Sequence, residues 1–84
     1  MSADTKKIVM YGTMWCGDTR RAKLVFKDLD IDFEFIDIDR DAAGRAYVQS
    51  VNNGNRSVPT ILFPDGSIVV EPSSDELRDK LRNL

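Results

Sequence analysis

The stretch Lys7-Ile8-Val9-Met10-Tyr11-Gly12-Thr13-Met14-Trp15-Cys16-Gly17-Asp18-Thr19-Arg20-Arg21-Ala22-Lys23-Leu24-Val25-Phe26 changes its hydrophobic period once, and that change decides the fold. Lys7 to Tyr11 is short and almost wholly apolar, the pattern of a strand buried on both faces. The six residues from Gly12 to Gly17 interrupt it. From Asp18 onward, Ala22, Val25, Phe26 and Leu29 recur at i, i+3, i+4 and i+7 with charges between them. That spacing predicts an amphipathic helix ending near Asp30.

Working outward, Phe33 to Ile38 is rich in aromatic and β-branched residues and reads as a second strand. Asp41 can cap a second helix through about Asn53, with Ala43, Ala46, Tyr47 and Val51 on one face and Gly54 as its C-terminal stop. Pro59 precedes a third strand, Thr60 to Phe63. Pro64-Asp65-Gly66 is a turn, and Ser67 to Val70 returns as a fourth strand, so these two form a hairpin. Ser73-Ser74-Asp75-Glu76 is a capping box for a last helix with Leu77, Leu81 and Leu84 on its apolar face. The order is βαβαββα, an α/β fold with a four-stranded mixed sheet flanked by three helices and a right-handed first crossover. Tyr11, Phe26, Phe33, Phe35 and Phe63 are the core candidates. A single domain over 1–84 with a polar tail at 1–6 is expected from the length.

The chain has 84 residues, 42% of them hydrophobic and 31% charged, a globular rather than disordered balance. It contains one cysteine and no histidine, which excludes an internal disulfide, Cys/His zinc sites and any histidine-based triad. The remaining chemistries are one thiol, carboxylates and the backbone. No apolar run is long enough for a transmembrane helix or a signal-peptide core, so a cytoplasmic, reducing setting is expected. Without a secretory signal, the Asn55-Arg56-Ser57 sequon carries no weight. A net charge of −2 argues against nucleic-acid affinity. The acidic run Asp28, Asp30, Asp32, Glu34, Asp37, Asp39 and Asp41 reads as solvated turns and strand edges, and it lacks calcium-loop spacing.

Cys16 lies between the buried strand and the first turn of a helix. Unpaired backbone N–H groups and the helix macrodipole there favour a thiolate. Arg20 and Arg21 add to this if they fold back toward the sulfur, and Asp18 opposes it. Thr19 could donate its hydroxyl to the sulfur. The bland alternative is a small buried apolar cysteine.

Trp15-Cys16-Gly17-Asp18-Thr19, followed about forty residues later by Ser57-Val58-Pro59-Thr60 on a βαβαββα frame, resembles the glutaredoxin branch of the thioredoxin superfamily. Val51-Asn52-Asn53-Gly54-Asn55-Arg56-Ser57-Val58-Pro59-Thr60 is similar to the same segment in mycoredoxin-like actinobacterial glutaredoxins. The resemblance covers roughly Ile8 to Leu84. It implies Cys16 as nucleophile and Pro59 as the family's cis-proline across from it. It also implies that Val58 offers backbone N–H and C=O to an extended thiol substrate. Ser73, Ser74 and Asp75 stand where the family holds a ligand carboxylate at a helix N-terminus. Arg56 is a candidate second contact for an anionic or polyhydroxylated thiol, and Trp15 is a groove wall or a simple shield. Gly17, Arg20 and Thr60 complete the candidate set. The family's usual Gly-Gly before the last helix is replaced by Glu71-Pro72.

Position 19 is the main departure, because a dithiol member carries a second cysteine there. Thr19 is either the chain's own residue or a replacement that traps the mixed disulfide, and trapping ordinarily uses Ser or Ala. One cysteine suffices for monothiol exchange on mixed disulfides between proteins and a low-molecular-weight thiol, mycothiol or glutathione. The implied partners are that thiol, S-thiolated proteins and a recycling thiol-disulfide reductase. A monomer without bound cofactor or metal is expected, with neither nucleic acid nor membrane as partner. Two other classes stay open: an iron–sulfur cluster carrier, whose usual Cys-Gly-Phe-Ser is here Cys-Gly-Asp-Thr, and a non-catalytic thioredoxin-like interaction module.

Overall fold

The computed structural model describes residues 7–84, so the tail expected at 1–6 lies outside the described residues. Four strands, β1 (Val9–Gly12), β2 (Glu34–Asp37), β3 (Thr60–Leu62) and β4 (Ile68–Val70), alternate with α1 (Gly17–Asp28), α2 (Ala42–Val51) and α3 (Ser74–Arg82) in the expected order. The sheet runs β2-β1-β3-β4, with β1–β2 parallel and the other two pairs antiparallel. This is a thioredoxin-like fold.

Register explains the two faces. Phe35, Met10, Ile61 and Val69 align across the four strands. Their row meets α1 and α3 through Ala22, Val25, Phe26, Leu77 and Leu81, with Ile8 and Phe63 completing the core. Phe26, Phe63 and Met10 are fully buried there, each contributing about 1.5–3 kcal/mol of transfer free energy. The next row, Ile36, Tyr11, Thr60 and Val70, faces the opposite way. There α2 covers the Tyr11 end, with the Tyr11 and Tyr47 rings 4.8 Å apart, while Val70 stays exposed. Phe26 and Phe63 are therefore core as expected, whereas Tyr11, Phe33 and Phe35 are only half-buried. So β1 is buried completely on one face and partly on the other.

The buried face of α2 differs from the alanine pattern. Ala43, Ala46 and Val51 are exposed, and Gly44 and Val48 point inward. A Cβ on Gly44 would lie 2.7 Å from Ile36 Cγ2. The missing side chain lets the helix approach the sheet, which a search for apolar side chains overlooks. α1 stops at Asp28 through a Schellman end: Asp30 takes φ 57, and Ile31 N–H donates to the Phe26 carbonyl at 3.0 Å.

The tightest contact lies where β1 gives way to α1. A Cβ on Gly12 would fall 2.7 Å from both Cγ2 and Oγ1 of Thr19 and 3.2 Å from a Phe35 ring carbon. Gly12→Ala is expected to lower stability by about 1–3 kcal/mol in denaturant melts, as overpacking does. Gly17→Ala, where a Cβ would meet nothing within 4 Å, changes it little.

Candidate active site

Sheet topology collects four chain segments at one edge. β1 ends at Gly12 beside the end of β2 at Asp37. β3 begins at Thr60 opposite Tyr11, and β4 ends at Val70 opposite Thr60. The loop with Cys16, the 38–41 loop, the 55–59 loop and the lead into α3 therefore share that edge. The cavity of about 260 Å³ lined by Pro64, Asp65, Lys80, Asn83 and Leu84 belongs to the β3–β4 turn at the other end.

Cys16 is the N-cap residue of α1, extended at φ −78 and ψ 125, half-exposed and free. Its carbonyl accepts Arg20 N–H at 3.1 Å, and its sulfur makes no cap hydrogen bond. The first-turn N–H groups of Gly17, Asp18 and Thr19 have no backbone partner among the described residues, so the helix's positive end stays open beside the thiol. Arg21 pairs with Asp18 at 2.8 Å rather than folding back to the sulfur, which damps both the expected attraction and the expected repulsion. Arg20 is exposed and enters no ion pair among the described residues.

Thr19 corrects a second expectation. Its side chain is 0% exposed, and its hydroxyl has no hydrogen-bond partner among the described residues, so it does not donate to Cys16. The reason is steric: Thr19 fills the space left by the absent Gly12 side chain. Thr13, also buried, has an unpartnered hydroxyl too.

Trp15 is 72% exposed and Met14 61%, so two apolar side chains stand in solvent beside the thiol. The Trp15 indole N–H donates to Asp39 Oδ2 at 2.8 Å. Lys23 Nζ lies 3.9 Å from the Met14 sulfur and 3.7 Å from the Phe35 ring centroid. Sequence reasoning missed Asp39 by assigning the acidic run to solvation. An exposed indole that needs an acceptor, and the Gly12–Asp37 pairing implied by a parallel crossover, were its signals.

Across the edge, the Val58–Pro59 peptide is cis. The Pro59 ring is buried, while Val58 is half-buried and its N–H and C=O have no partner among the described residues. Thr60 is not at the surface. Its buried hydroxyl donates to the Ser57 carbonyl at 2.7 Å and accepts from Asn52 Nδ2 at 3.1 Å, tying the 55–59 loop to the end of α2. Asn52 is thus a second residue the sequence reading passed over. Arg56 is exposed on that loop. Glu71 N–H donates to the Pro59 carbonyl at 2.8 Å and brings the lead of α3 alongside.

At α3 the capping box forms as expected, with Ser73 Oγ accepting Glu76 N–H at 3.1 Å and Glu76 Oε1 accepting Ser73 N–H at 2.8 Å. Ser73 is thereby consumed internally. Of the first-turn donors, the N–H groups of Ser74 and Asp75 remain. Among the described residues no group of three or more His, Cys, Asp or Glu could hold a metal ion. No helix of the described residues is long and apolar enough to cross a membrane.

A glutaredoxin family model matches residues 8–69, a span that includes Cys16, Pro59, the first three strands and all but the last residue of the fourth. The chain belongs to the glutaredoxin family. A provisionally named glutaredoxin of Mycobacterium tuberculosis is 42% identical over 77 residues, 92% of each chain. Mycoredoxin 1 of Corynebacterium glutamicum is 36% identical over 78 residues, 92% of this chain and 95% of that one. Among solved structures, the glutaredoxin of Archaeoglobus fulgidus superposes with a TM-score of 0.72 at 26% identity, covering 92% of this chain and 87% of that one. Membership makes the protein a thiol-disulfide oxidoreductase of glutaredoxin type, with a low-molecular-weight thiol as co-substrate.

The Ser73 N–H donating to it, helped by the neighbouring Ser73 hydroxyl, holds the Glu76 carboxyl below the usual carboxylate range. A lowered folded-state value adds stability above the ordinary carboxylate range, and that stability is lost as pH falls through it. Glu76→Gln is expected to flatten the acid side of the thermal midpoint against pH while leaving the neutral fold intact.

Proposed function

We propose that this glutaredoxin works by a monothiol cycle on mixed disulfides between proteins and a small thiol. The Cys16 thiolate attacks the small-thiol sulfur, forming one S–S bond and breaking another, and the protein thiolate leaves. A second small-thiol molecule, as thiolate, then attacks the Cys16 mixed disulfide, and Cys16 leaves as thiolate with the oxidised small thiol as product. The observation that carries this reading is the pairing of one cysteine in the chain with a buried threonine at position 19. No internal thiol can resolve the intermediate.

Around the sulfur, the open first turn of α1 stabilises negative charge, Val58 supplies a backbone donor and acceptor, and Trp15 forms the wall. Arg20, Gly17 and Arg56 border the groove, and Ser74 and Asp75 offer the remaining N–H groups of α3. Pro59 and Thr60 act behind it, holding the loop. Asp75 and Glu76 in the first turn of α3, with Glu71 nearby, disfavour a thiol carrying two carboxylates such as glutathione. A polyhydroxylated, uncharged thiol of the mycothiol kind fits better, and the similarity to mycoredoxin 1 supports the same preference. A monomer in a reducing cytoplasm, recycled by a thiol-disulfide reductase and serving S-thiolated proteins, is the setting this cycle needs.

Coupled turnover of a small mixed disulfide with thiol and reductase is expected to fall to the uncatalysed rate in Cys16→Ser. Undiminished turnover would sink the mechanism. Mass spectrometry of Cys16 should show faster adduct formation with mycothiol disulfide than with glutathione disulfide, and the reverse order would overturn the thiol assignment. Thr19→Cys should shorten the life of the mixed disulfide by supplying an internal thiol.

A further inference from the structure

Trp15 is the only tryptophan of the chain, and despite its exposure its ring is held at its far end. The acceptor, Asp39, sits on a loop with little freedom. Asp39 N–H donates to Asp37 Oδ1 at 3.0 Å, and the N–H groups of Arg40 and Asp41 donate to the Asp37 carbonyl at 3.0 and 2.9 Å. Arg45 Nη1 donates to the Ile38 carbonyl at 2.8 Å. Ile38 itself is buried, and its N–H donates to the Gly12 carbonyl at 3.0 Å. A ring of chain is thereby closed: Gly12 to Trp15 along the backbone, Trp15 to Asp39 through the indole, and Ile38 back to Gly12. Asp39 enters no ion pair among the described residues that would compete for its carboxylate.

An exposed indole samples several rotamers, and a bond at Nε1 selects one of them. We infer that Asp39 is a positioning residue for thiol exchange. It fixes the Trp15 ring as a preformed wall beside Cys16, so the small-thiol half of a mixed disulfide docks without ordering the ring first. This rests on the reading of Trp15 as a groove wall. Asp39 touches neither sulfur nor substrate in this role and acts through the indole alone.

The single indole N–H signal of the ¹⁵N-labelled protein reports the contact directly. Asp39→Ala should move and broaden it. In exchange kinetics the same variant should raise KM for the mixed disulfide about fivefold, the factor that one net hydrogen bond supplies. Its kcat and thermal midpoint should stay close to those of the parent. Asp39→Asn, whose side-chain carbonyl still accepts, should recover most of the loss. Trp15→Phe keeps a ring but lacks the N–H, so Asp39→Ala should add nothing in that background. An unchanged indole signal and KM in Asp39→Ala would overturn the inference, as would an equal KM rise with and without the indole. Trp15→Ala separates the two levels. If it leaves KM unchanged, the wall itself is wrong; if it raises KM while Asp39→Ala does not, only the role of Asp39 fails.

Discussion

The close approach of β1 and α1 at Gly12 and Thr19 is the constraint on which the rest depends. A strand can turn into a helix across Thr13 to Cys16 only if the first turn of the helix lies against the strand's last residue. Gly12 permits this by lacking the atom that would collide with Thr19. The same residue gives its carbonyl to Ile38 and so fixes the neighbouring loop. Cys16 becomes the helix cap as a consequence, beside donors that the helix cannot satisfy. The junction also carries a cost. The hydroxyls of Thr13 and Thr19 are buried without partners among the described residues, roughly 1–3 kcal/mol each by the usual desolvation penalty. Such local violations concentrate where function overrides packing.

From that junction the sheet does the gathering. A parallel partner on one side of β1 and an antiparallel one on the other bring an acidic loop, a proline loop and a helix start to a single edge. Each segment then uses up part of its own polarity. Arg21 answers Asp18, Ser73 answers Glu76, and Thr60 answers Ser57 and Asn52. What is left open around the sulfur is small: the first-turn N–H groups of α1, the Val58 backbone, two exposed apolar side chains and two N–H groups of α3. That remainder of unsatisfied groups is narrower than the full set of polar residues nearby.

Most of the fold was legible because its signals are local. The period change after Tyr11, the capping box at Ser73 and the turn at Pro64-Asp65-Gly66 each act within a few residues and appear where expected. The face of α2 was not legible, since a glycine makes its contact by absence and an apolar search favours the alanines. Asp37, Asp39 and Asp41 illustrate the same limit. They look alike in sequence, yet one builds a turn, one holds an indole and one caps a helix. Identical charges acquire different tasks only once their neighbours are placed.

Composition and short-range periodicity suffice for the order of elements, the single cysteine and the lack of a second thiol to pair with it. Where the side chains around that cysteine point is a product of packing. Thr19 turned inward, Thr60 went behind the loop, and Asp39 came up to Trp15 from 24 residues away. Side-chain direction depends on which partner lies within about 3 Å, and that is settled by strand register and helix approach, which no local stretch of sequence contains.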